Sequence, residues 1–324
     1  MKKLFLLVAV FLLFALTACM GNEETPDVVN FSVFAGPSAI GALELMDAAE
    51  RDDSLNNYNV QILGAPTDVP PLLLQGLLDI AAVPTNLASV LYNQTEGDIL
   101  LLAATTLGVL HIVDTTGSIN SVADLQGHTI FLSGYGAAPH FSANFVLRQN
   151  GLEPGVDVFL EFRAEQAEIA ALLAEGVAEV ALLPEPFATT VTMQNEAAVH
   201  ALDWSHEWDL VGDGSRMIMT ALVARRSFAE AYPQAIRNFM QDFENSINFV
   251  NNNLEQAAGL AVDFGIIPNP VIAEAAIPRT NQVFLSGQGM HSYVLGYLEV
   301  LHNELPPFIG GALPSYDFFL TLTE

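Results

Sequence analysis

The sequence predicts an α/β protein of two lobes, each a mainly parallel sheet flanked by helices, with two crossing strands as a hinge. Three observations carry this prediction. Short apolar runs that fit buried strands alternate with helix-like segments. One helix–Gly–strand pattern occurs twice, 100 residues apart. Two extended segments, with no helix-like stretch directly after the first, divide the chain between the lobes.

The repeated pattern organises both lobes. Residues 73–84, LLQGLLDIAAVP, return as residues 173–184, LAEGVAEVALLP. In each copy a helix ends at a Gly, an acidic residue opens a short apolar strand, and a Pro stops it. Chance recurrence of a common unit is the alternative interpretation. Because open α/β sheets bind ligands at the carboxyl ends of their strands, we expect the residues after Pro84 and Pro184 to line a cleft.

The elements follow in chain order. The first lobe is predicted to contain strands at 29–35, 58–63, 79–83 and 99–104, with helices up to about 51, at 71–76 and at 87–92. Residues 105–113 are extended and cross to the second lobe. That lobe opens with residues 121–132, which are followed by a helix at 141–150, a strand at 156–162 and the second copy of the repeat. Residues 215–225 are extended again and cross back to the first lobe. Helices predicted at 233–251, 254–264 and 291–303 pack around that lobe. The predicted boundaries are 29–108 with 217–324 for lobe 1, and 109–216 for lobe 2.

The first residues predict export. Lys2 and Lys3 precede an apolar run, and small residues lead to Cys19, the only cysteine of the chain. This is the layout of a secretory signal, here residues 1–18, and the run is short for a membrane span. A lone exported thiol has no disulfide partner, so we interpret Cys19 as a lipidation site. An uncleaved anchor or an ordinary signal is the alternative. Residues 19–28 are polar and predict a flexible tether.

The charge excludes one class of partner. Without residues 1–18 the chain has eight arginines, no lysine and 37 acidic residues, a net charge of −29. Nucleic-acid binding needs a basic footprint, so it is excluded. A small anionic ligand remains compatible, because surface charge is screened within about 8–10 Å at moderate salt. High-salt and high-pH habitats would both explain the acidity.

Candidate site residues lie where predicted strands pass into helices. A glycine-containing loop at such a point presents backbone N–H groups and a helix N-terminus to a polar or anionic ligand. A tight turn that needs glycine is the alternative. We assign to one cleft Gly36, Pro37, Ser38, Ala39, Thr85, Asn86, Gly134, Tyr135, Gly136, Ala137, Ala138 and Glu185. There the Ser38 hydroxyl would donate a hydrogen bond to the ligand. The Glu185 carboxylate would favour a ligand that carries a donor or a positive charge, unless it only caps the helix that begins near Phe187. Nucleotide-binding, zinc-protease and serine-hydrolase motifs are absent from the sequence, so no catalytic residue, metal or cofactor is predicted.

Several of these motifs together resemble a known family. They are Gly36–Ala39, residues 76–88 (GLLDIAAVPTNLA), 124–130 (DLQGHTI), the 133–138 loop and Pro184-Glu185-Pro186-Phe187. In combination they resemble the substrate-binding lipoproteins of ABC importers, in the nitrate/sulfonate/taurine group and its thiamine-pyrimidine-binding relatives. The resemblance covers about residues 29–319. It implies a type II periplasmic-binding-protein fold that clamps a solute between two lobes.

The resemblance also implies partners and alternatives. It implies a monomer on the outer face of the bacterial cytoplasmic membrane, anchored by lipid, that delivers a small solute to permease subunits. The sulfonate branch uses hydroxyls in the loop, whereas this chain has Ala137 and Ala138 there with Tyr135, which leaves room for an aromatic ligand. Enzymes that make the thiamine pyrimidine share the fold, but no lysine remains after Cys19 to hold a pyridoxal-type group. A sensory lipoprotein is the other alternative.

Overall fold

The structure is a computed structural model that describes residues 25–321. Its strands form two separate sheets. In chain order they are β1 Val29–Phe34, β2 Tyr58–Leu63, β3 Ile80–Pro84, β4 Ile99–Leu107, β5 Leu110–Asp114, β6 Thr129–Ser133, β7 Phe159–Arg163, β8 Val180–Pro184, β9 Val199–Asp203, β10 Ile218–Arg225 and β11 Gln282–Ser286. Sheet A has the order β11-β4-β10-β3-β1-β2, and sheet B has the order β7-β6-β8-β5-β9. We call the part built on sheet A lobe 1 and the part built on sheet B lobe 2.

Helices flank both sheets. They are α1 Pro37–Ile40, α2 Leu43–Glu50, α3 Val69–Leu74, α4 Thr85–Gln94, α5 Ala138–Gln149, α6 Gln166–Ala174, α7 Phe187–Gln194, α8 Trp204–Val211, α9 Arg226–Ala231, α10 Pro233–Asn252, α11 Leu254–Asp263, α12 Pro270–Ala276 and α13 Gln288–Glu304. This mixed α/β architecture of two sheets flanked by helices confirms the predicted fold class. Among the described residues, no helix combines the length and apolar character needed to cross a membrane.

The strand directions are mixed in a regular way. β3 is parallel to β1, which is parallel to β2, and in lobe 2 β6 is parallel to β7 and β8. The crossing strands run against these neighbours: β10 is antiparallel to β3 and β4, and β5 is antiparallel to β8 and β9. The carboxyl ends of β1, β3 and β4 therefore share one edge of sheet A. The carboxyl ends of β6 and β8 share the edge of sheet B at which β5 begins.

One apolar core extends from sheet A into lobe 2. On one face of sheet A, Phe31 packs edge-on against Phe239 of α10, with ring centroids 4.9 Å apart. On the other face α13 packs against both lobes. The ring centroid of Trp208 of α8 lies 4.4 Å from that of Phe145 of α5 and 5.5 Å from that of Tyr297 of α13. Each such aromatic pair contributes about 0.5–1.5 kcal/mol beyond the area that it buries. The lobes therefore share a buried contact beside the crossing strands.

Some boundaries differ from the sequence prediction. The strand expected at 156–162 is β7, Phe159–Arg163, because residues 154–158 form a turn closed by a bridge between Pro154 and Val158. The helix expected up to Arg51 is divided into α1 and α2 at Gly41 and Ala42. The edge strands β9 and β11 were not predicted. The predicted signal peptide, Cys19 and residues 20–24 of the tether lie outside the described residues.

Candidate functional site

The two carboxyl edges lie side by side because β4 passes directly into β5 through Gly108 and Val109. A Cβ on Gly108 would lie 1.9 Å from Cε of Met217 and 2.9 Å from Cβ of Ser205, so glycine permits this close approach of the crossings. The Glu185 amide donates to the Val109 carbonyl at 3.0 Å. A link of two residues leaves carboxyl ends of strands from both sheets next to the crossing, the kind of edge where parallel sheets bind ligands.

On lobe 1 the predicted residues follow two neighbouring strands. Gly36, Pro37, Ser38 and Ala39 come after β1, and Thr85 and Asn86 come after β3. The structure corrects the role of Ser38, whose hydroxyl was expected to face the ligand. Only 2% of Ser38 is exposed, and its Oγ donates to the Phe34 carbonyl at 2.7 Å. Its hydrogen is therefore already used in closing the turn.

Thr85 and Asn86 differ in their partners. Thr85 is buried, and its hydroxyl has no hydrogen-bond partner among the described residues. A buried hydroxyl without a partner costs about 1–3 kcal/mol, so this atom is suited to bind a polar group that enters the cleft. The Asn86 amide donates to the Phe308 carbonyl at 3.4 Å. The Phe308 ring packs edge-on against Phe141 of α5 at 5.0 Å, so this contact joins the lobes beside the site.

On lobe 2 the Gly134–Ala138 loop leads from β6 into α5. Tyr135 is 77% exposed, yet its ring stacks on the imidazole of His140 and lies edge-on to Phe162, with ring centroids 5.0 Å apart in both pairs. The prediction treated the amides after Gly134 as free donors. One of them is not, because the Gly136 N–H donates to Nδ1 of His140 at 3.1 Å. The loop therefore presents an aromatic surface fixed by a histidine.

Glu185 lies at the carboxyl end of β8 and is completely buried. Its Oε2 accepts the Thr189 N–H at 3.2 Å, and its Oε1 lies 3.1 Å from Nε2 of His200. We expected this carboxylate to select a ligand that carries a donor or a positive charge. The structure corrects that role, because the protein itself supplies the donors, including the first turn of α7. The alternative that Glu185 caps this helix agrees with the Thr189 contact.

A second histidine completes this cluster. Nε2 of His111 lies 3.9 Å from Glu185 Oε1 and 3.3 Å from the Arg279 carbonyl of lobe 1. Burial lowers the pKa of His111, and the nearby carboxylates of Glu185 and Asp203 oppose that effect. The sequence analysis did not identify His111, His140 or His200. Only His140 has a position in the sequence that could have indicated its role, because it stands on the first turn of α5, directly after the Gly134–Ala138 loop.

The helix starts around the cleft differ in electrostatics. The N-cap residues of α4 and α5 are Pro84 and Ala137, which have no side-chain acceptor. In contrast, the Glu185 carboxylate meets the first turn of α7, and Asp203 caps α8 through the amides of Ser205 and His206. The positive ends of α4 and α5 therefore remain available to a negatively charged group, one from each lobe.

Other features of the described residues lie apart from this site. A cavity of about 320 Å³ is lined by α5, α13 and residues 211–215, and its lining includes none of the predicted site residues. Within residues 25–321, no group of three or more His, Cys, Asp or Glu side chains is arranged to hold a metal ion. The converging strand ends thus define the candidate site.

Comparisons with known proteins agree with this fold. The family model described as "ABC transporter, phosphonate, periplasmic substrate-binding protein" matches residues 60–266. An ABC transporter structure from Parabacteroides distasonis has a TM-score of 0.77 and 24% identity, covering 92% of this chain and 100% of that one. Comparison with curated protein sequences gave no match.

Two structures of named binding proteins are also similar. The periplasmic aliphatic sulphonate binding protein SsuA from Escherichia coli has a TM-score of 0.69 at 15% identity, with 90% of this chain and 93% of that chain covered. The alkanesulfonate-binding protein SsuA from Xanthomonas axonopodis pv. citri, bound to MOPS, has a TM-score of 0.61 at 14% identity, with 90% and 97% covered. At such identities the likeness concerns the fold.

Proposed function

The chain belongs to the family of periplasmic substrate-binding proteins of phosphonate ABC transporters, and from that premise we propose that it captures a small anionic organic solute with a planar or apolar part. The family and the structural neighbours are substrate-binding proteins of ABC transporters and not enzymes. Such proteins bind a solute outside the cytoplasm and deliver it to a permease.

The solute class is proposed from the starts of two longer helices that have no side-chain cap, α4 on lobe 1 and α5 on lobe 2. The start of α1 is also uncapped, but this helix has only four residues. The chain has no lysine after Cys19, so helix N-termini and loop amides are well placed to bind an anionic head. The Thr85 hydroxyl lies at the start of α4 and has no hydrogen-bond partner within residues 25–321. The exposed ring of Tyr135 lies beside the start of α5 and would cover the apolar part of the solute.

The proposed mechanism is closure of lobe 1 (residues 29–108 and 217–324) on lobe 2 (residues 109–216). The crossings near Leu107–His111 and Met217–Leu222 would serve as the hinge. A solute that contacts both helix starts binds the closed state in preference to the open one, which is the differential affinity that a population shift requires. Small-angle scattering should show compaction with saturating solute, and unchanged dimensions would contradict the mechanism.

A thermal-shift screen tests the solute class. We would compare benzenesulfonate, taurine, methylphosphonate, nitrate and 4-aminopyrimidine with the solute-free protein. A ligand at about 100 Kd should add ~2.7 kcal/mol to the free energy of unfolding. We expect stabilisation by an organic anion and none by nitrate, which has no apolar part. Stabilisation by 4-aminopyrimidine alone would instead favour an uncharged heterocycle stacked on Tyr135.

The location is part of the same proposal. A lipid on Cys19 would hold the protein as a monomer at the outer face of the cytoplasmic membrane. One acyl chain gives marginal anchoring, at about 0.8 kcal/mol per buried CH₂, and two or more hold firmly. Cys19→Ala should release the protein into the medium, as fractionation would detect. A variant that stays with the membrane would contradict lipid anchoring.

A further inference from the structure

The geometry around His140 gives the solute loop a support that changes with protonation. His140 stands on the first turn of α5 and contacts the Gly134–Ala138 loop in two ways. Its Nδ1 accepts the Gly136 N–H at 3.1 Å, and its ring stacks on Tyr135 at 5.0 Å with 21° between the planes. Phe162 lies edge-on to the imidazole at 4.8 Å. One imidazole therefore fixes both the backbone and the aromatic ring that the loop presents.

The other side of the imidazole faces a polar cluster that joins α5 to α13. Because Nδ1 accepts, Nε2 carries the hydrogen of the neutral ring, and it lies 3.3 Å from the amide nitrogen of Asn144, which is also a donor, so these two atoms form no hydrogen bond. The Asn144 amide donates to Oε2 of Glu304 at 3.2 Å. Arg148 donates to Oε1 of the same carboxylate at 2.8 Å. Glu304 ends α13, the helix that packs against both lobes. Asn144, Arg148 and Glu304 thus form a polar cluster beside His140 that ties α5 to the helix shared by the lobes.

The contact with Gly136 requires a neutral imidazole. A ring nitrogen accepts a hydrogen bond only while it carries no proton, and both nitrogens of an imidazolium are donors. Protonation would therefore make Nδ1 a donor, so that two donors, Nδ1–H and the Gly136 N–H, face each other and the hydrogen bond is lost. The stack on Tyr135 would survive, because an aromatic face attracts a cation. The backbone contact is thus the part of this arrangement that responds to pH.

We propose that His140 is a positioning residue for the solute: its neutral imidazole holds the Gly134–Ala138 loop in its binding shape, and its protonation releases that loop. Burial lowers the pKa of His140, and the positive charge of Arg148 lowers it further, whereas Glu304 acts against both. The loop should consequently stay fixed at neutral pH and loosen only in acid. The part that concerns the loop is independent of the solute, and the part that concerns affinity rests on the proposed function.

Hydrogen exchange of the Gly136 amide in the solute-free protein tests the loop directly. Protection, corrected for the intrinsic pH dependence of exchange, should fall about tenfold or more as His140 titrates. His140→Phe keeps an aromatic ring but has no acceptor, so protection should be low at every pH. His140→Asn places an amide oxygen near the position of Nδ1 and does not titrate, so protection should persist in acid. The proposal would be overturned if the Gly136 amide were as protected in His140→Phe as in the wild type. It would also be overturned if protection in the wild type did not change with pH as His140 titrates.

Calorimetry with benzenesulfonate extends the test to binding, since this probe keeps its charge from pH 5 to 8. The wild type should lose about tenfold in affinity in acid, which corresponds to ~1.4 kcal/mol, whereas His140→Asn should give a flat profile. His206→Asn, at an exposed histidine on α8, is the matched control and should keep the wild-type profile. A wild-type profile in His140→Asn would refute the role of His140 in binding. If benzenesulfonate binds at no pH, the solute class is wrong, and hydrogen exchange still decides the role of His140.

Discussion

Residues 69–90 and 169–190 are two copies of one unit, and the differences between them separate what holds the fold from what forms the site. Gly76 and Gly176 both have φ of 71°. Their amides donate to the carbonyls of Leu73 and Leu173 at 3.0 and 3.2 Å. Position by position, the two segments are buried or exposed alike except at Asp79 and its counterpart Glu179. The repeat recognised in the sequence is thus a repeat of backbone and burial.

The first difference concerns the acidic residue that opens the strand. Asp79 is buried, accepts the backbone and side-chain amides of Asn30 at 2.9 and 3.1 Å, and pairs with Arg225 at 2.6 Å. It therefore ties β3 to both of its neighbours. The Glu179 side chain is exposed. The backbone carbonyls behave alike, since that of Glu179 accepts the Thr115 amide and that of Asp79 accepts the Arg225 amide. One backbone unit thus uses the same position for a buried ion pair in lobe 1 and for solvent contact in lobe 2.

The second difference concerns the residue after the proline. Thr85 opens α4 directly, with a buried hydroxyl that has no protein partner within the described residues. The counterpart Glu185 precedes Pro186, and its carboxylate is bonded within lobe 2. Among the described residues, lobe 1 therefore leaves this polar atom without a hydrogen bond, whereas lobe 2 has satisfied the equivalent group.

The largest expected effect is at position 79. Asp79→Ala should lower the free energy of unfolding by about 3 kcal/mol, because it leaves Arg225 and the Asn30 amides without their acceptor. Glu179→Ala should change it by less than about 0.5 kcal/mol, as is usual for exposed positions. Urea denaturation followed by circular dichroism measures both. Equal losses would show that the two acidic residues have equivalent roles after all.

The glycines should respond alike. Gly76→Ala and Gly176→Ala each place a side chain at positive φ, which costs about 1–2 kcal/mol. A Cβ at Gly176 would meet no atom within 4 Å, and one at Gly76 would be 3.8 Å from Arg225, so neither site adds a clash. The two losses of stability should agree within about 0.5 kcal/mol in the same denaturation experiment. A larger gap would mean that the copies are not equivalent in energy.

Thr85→Val should separate binding from stability. Valine has the shape of threonine without the unpartnered hydroxyl, so the free energy of unfolding should change by less than about 0.5 kcal/mol. Affinity for the solute identified by the screen should fall about tenfold, as calorimetry would measure. Thr95→Val, at the far end of α4, is the reciprocal control: its hydroxyl donates to the Leu91 carbonyl, so stability should fall by about 1 kcal/mol at unchanged affinity. An unchanged affinity in Thr85→Val would exclude this hydroxyl from the site.

The smallest effect is the acid response of the cluster around Glu185. Burial lowers the pKa of His111, so the folded state disfavours the proton that the unfolded chain accepts near pH 6.5. Stability from this group is present above about pH 6.5 and is lost as the pH falls toward the lowered value. His111→Asn should give a flatter dependence of Tm on pH between 5 and 8. The remaining slope reflects His140 and His291, whose pKa values burial also lowers. An unchanged slope would assign the acid response to those two residues.

Much of the fold could be predicted because its signals are local. The periodicity of the repeat, its glycine and its proline determine helix, turn and strand within about twelve residues, and each signal acts through backbone conformation or burial along the chain. The same reasoning placed candidate residues at strand ends, since the direction of a parallel strand follows from the order of elements. Edge strands such as β11 carried weaker signals, because most of their residues are only half-buried: β11 has one buried, three half-buried and one exposed residue.

The sequence by itself determined the α/β class, the repeat, the acidic charge and the strand ends at which residues of the candidate site lie. Tertiary structure decided what each polar group contacts. Ser38 turns back to Phe34, Glu185 is satisfied by Thr189 and His200, and His140 reaches the Gly136 amide. His200 lies fifteen residues from Glu185, and Glu304 lies 160 residues from Asn144. The physical reason is that hydrogen bonds form between groups that folding brings within about 3 Å, whereas the sequence pattern encodes only which groups are buried and in which direction the chain runs.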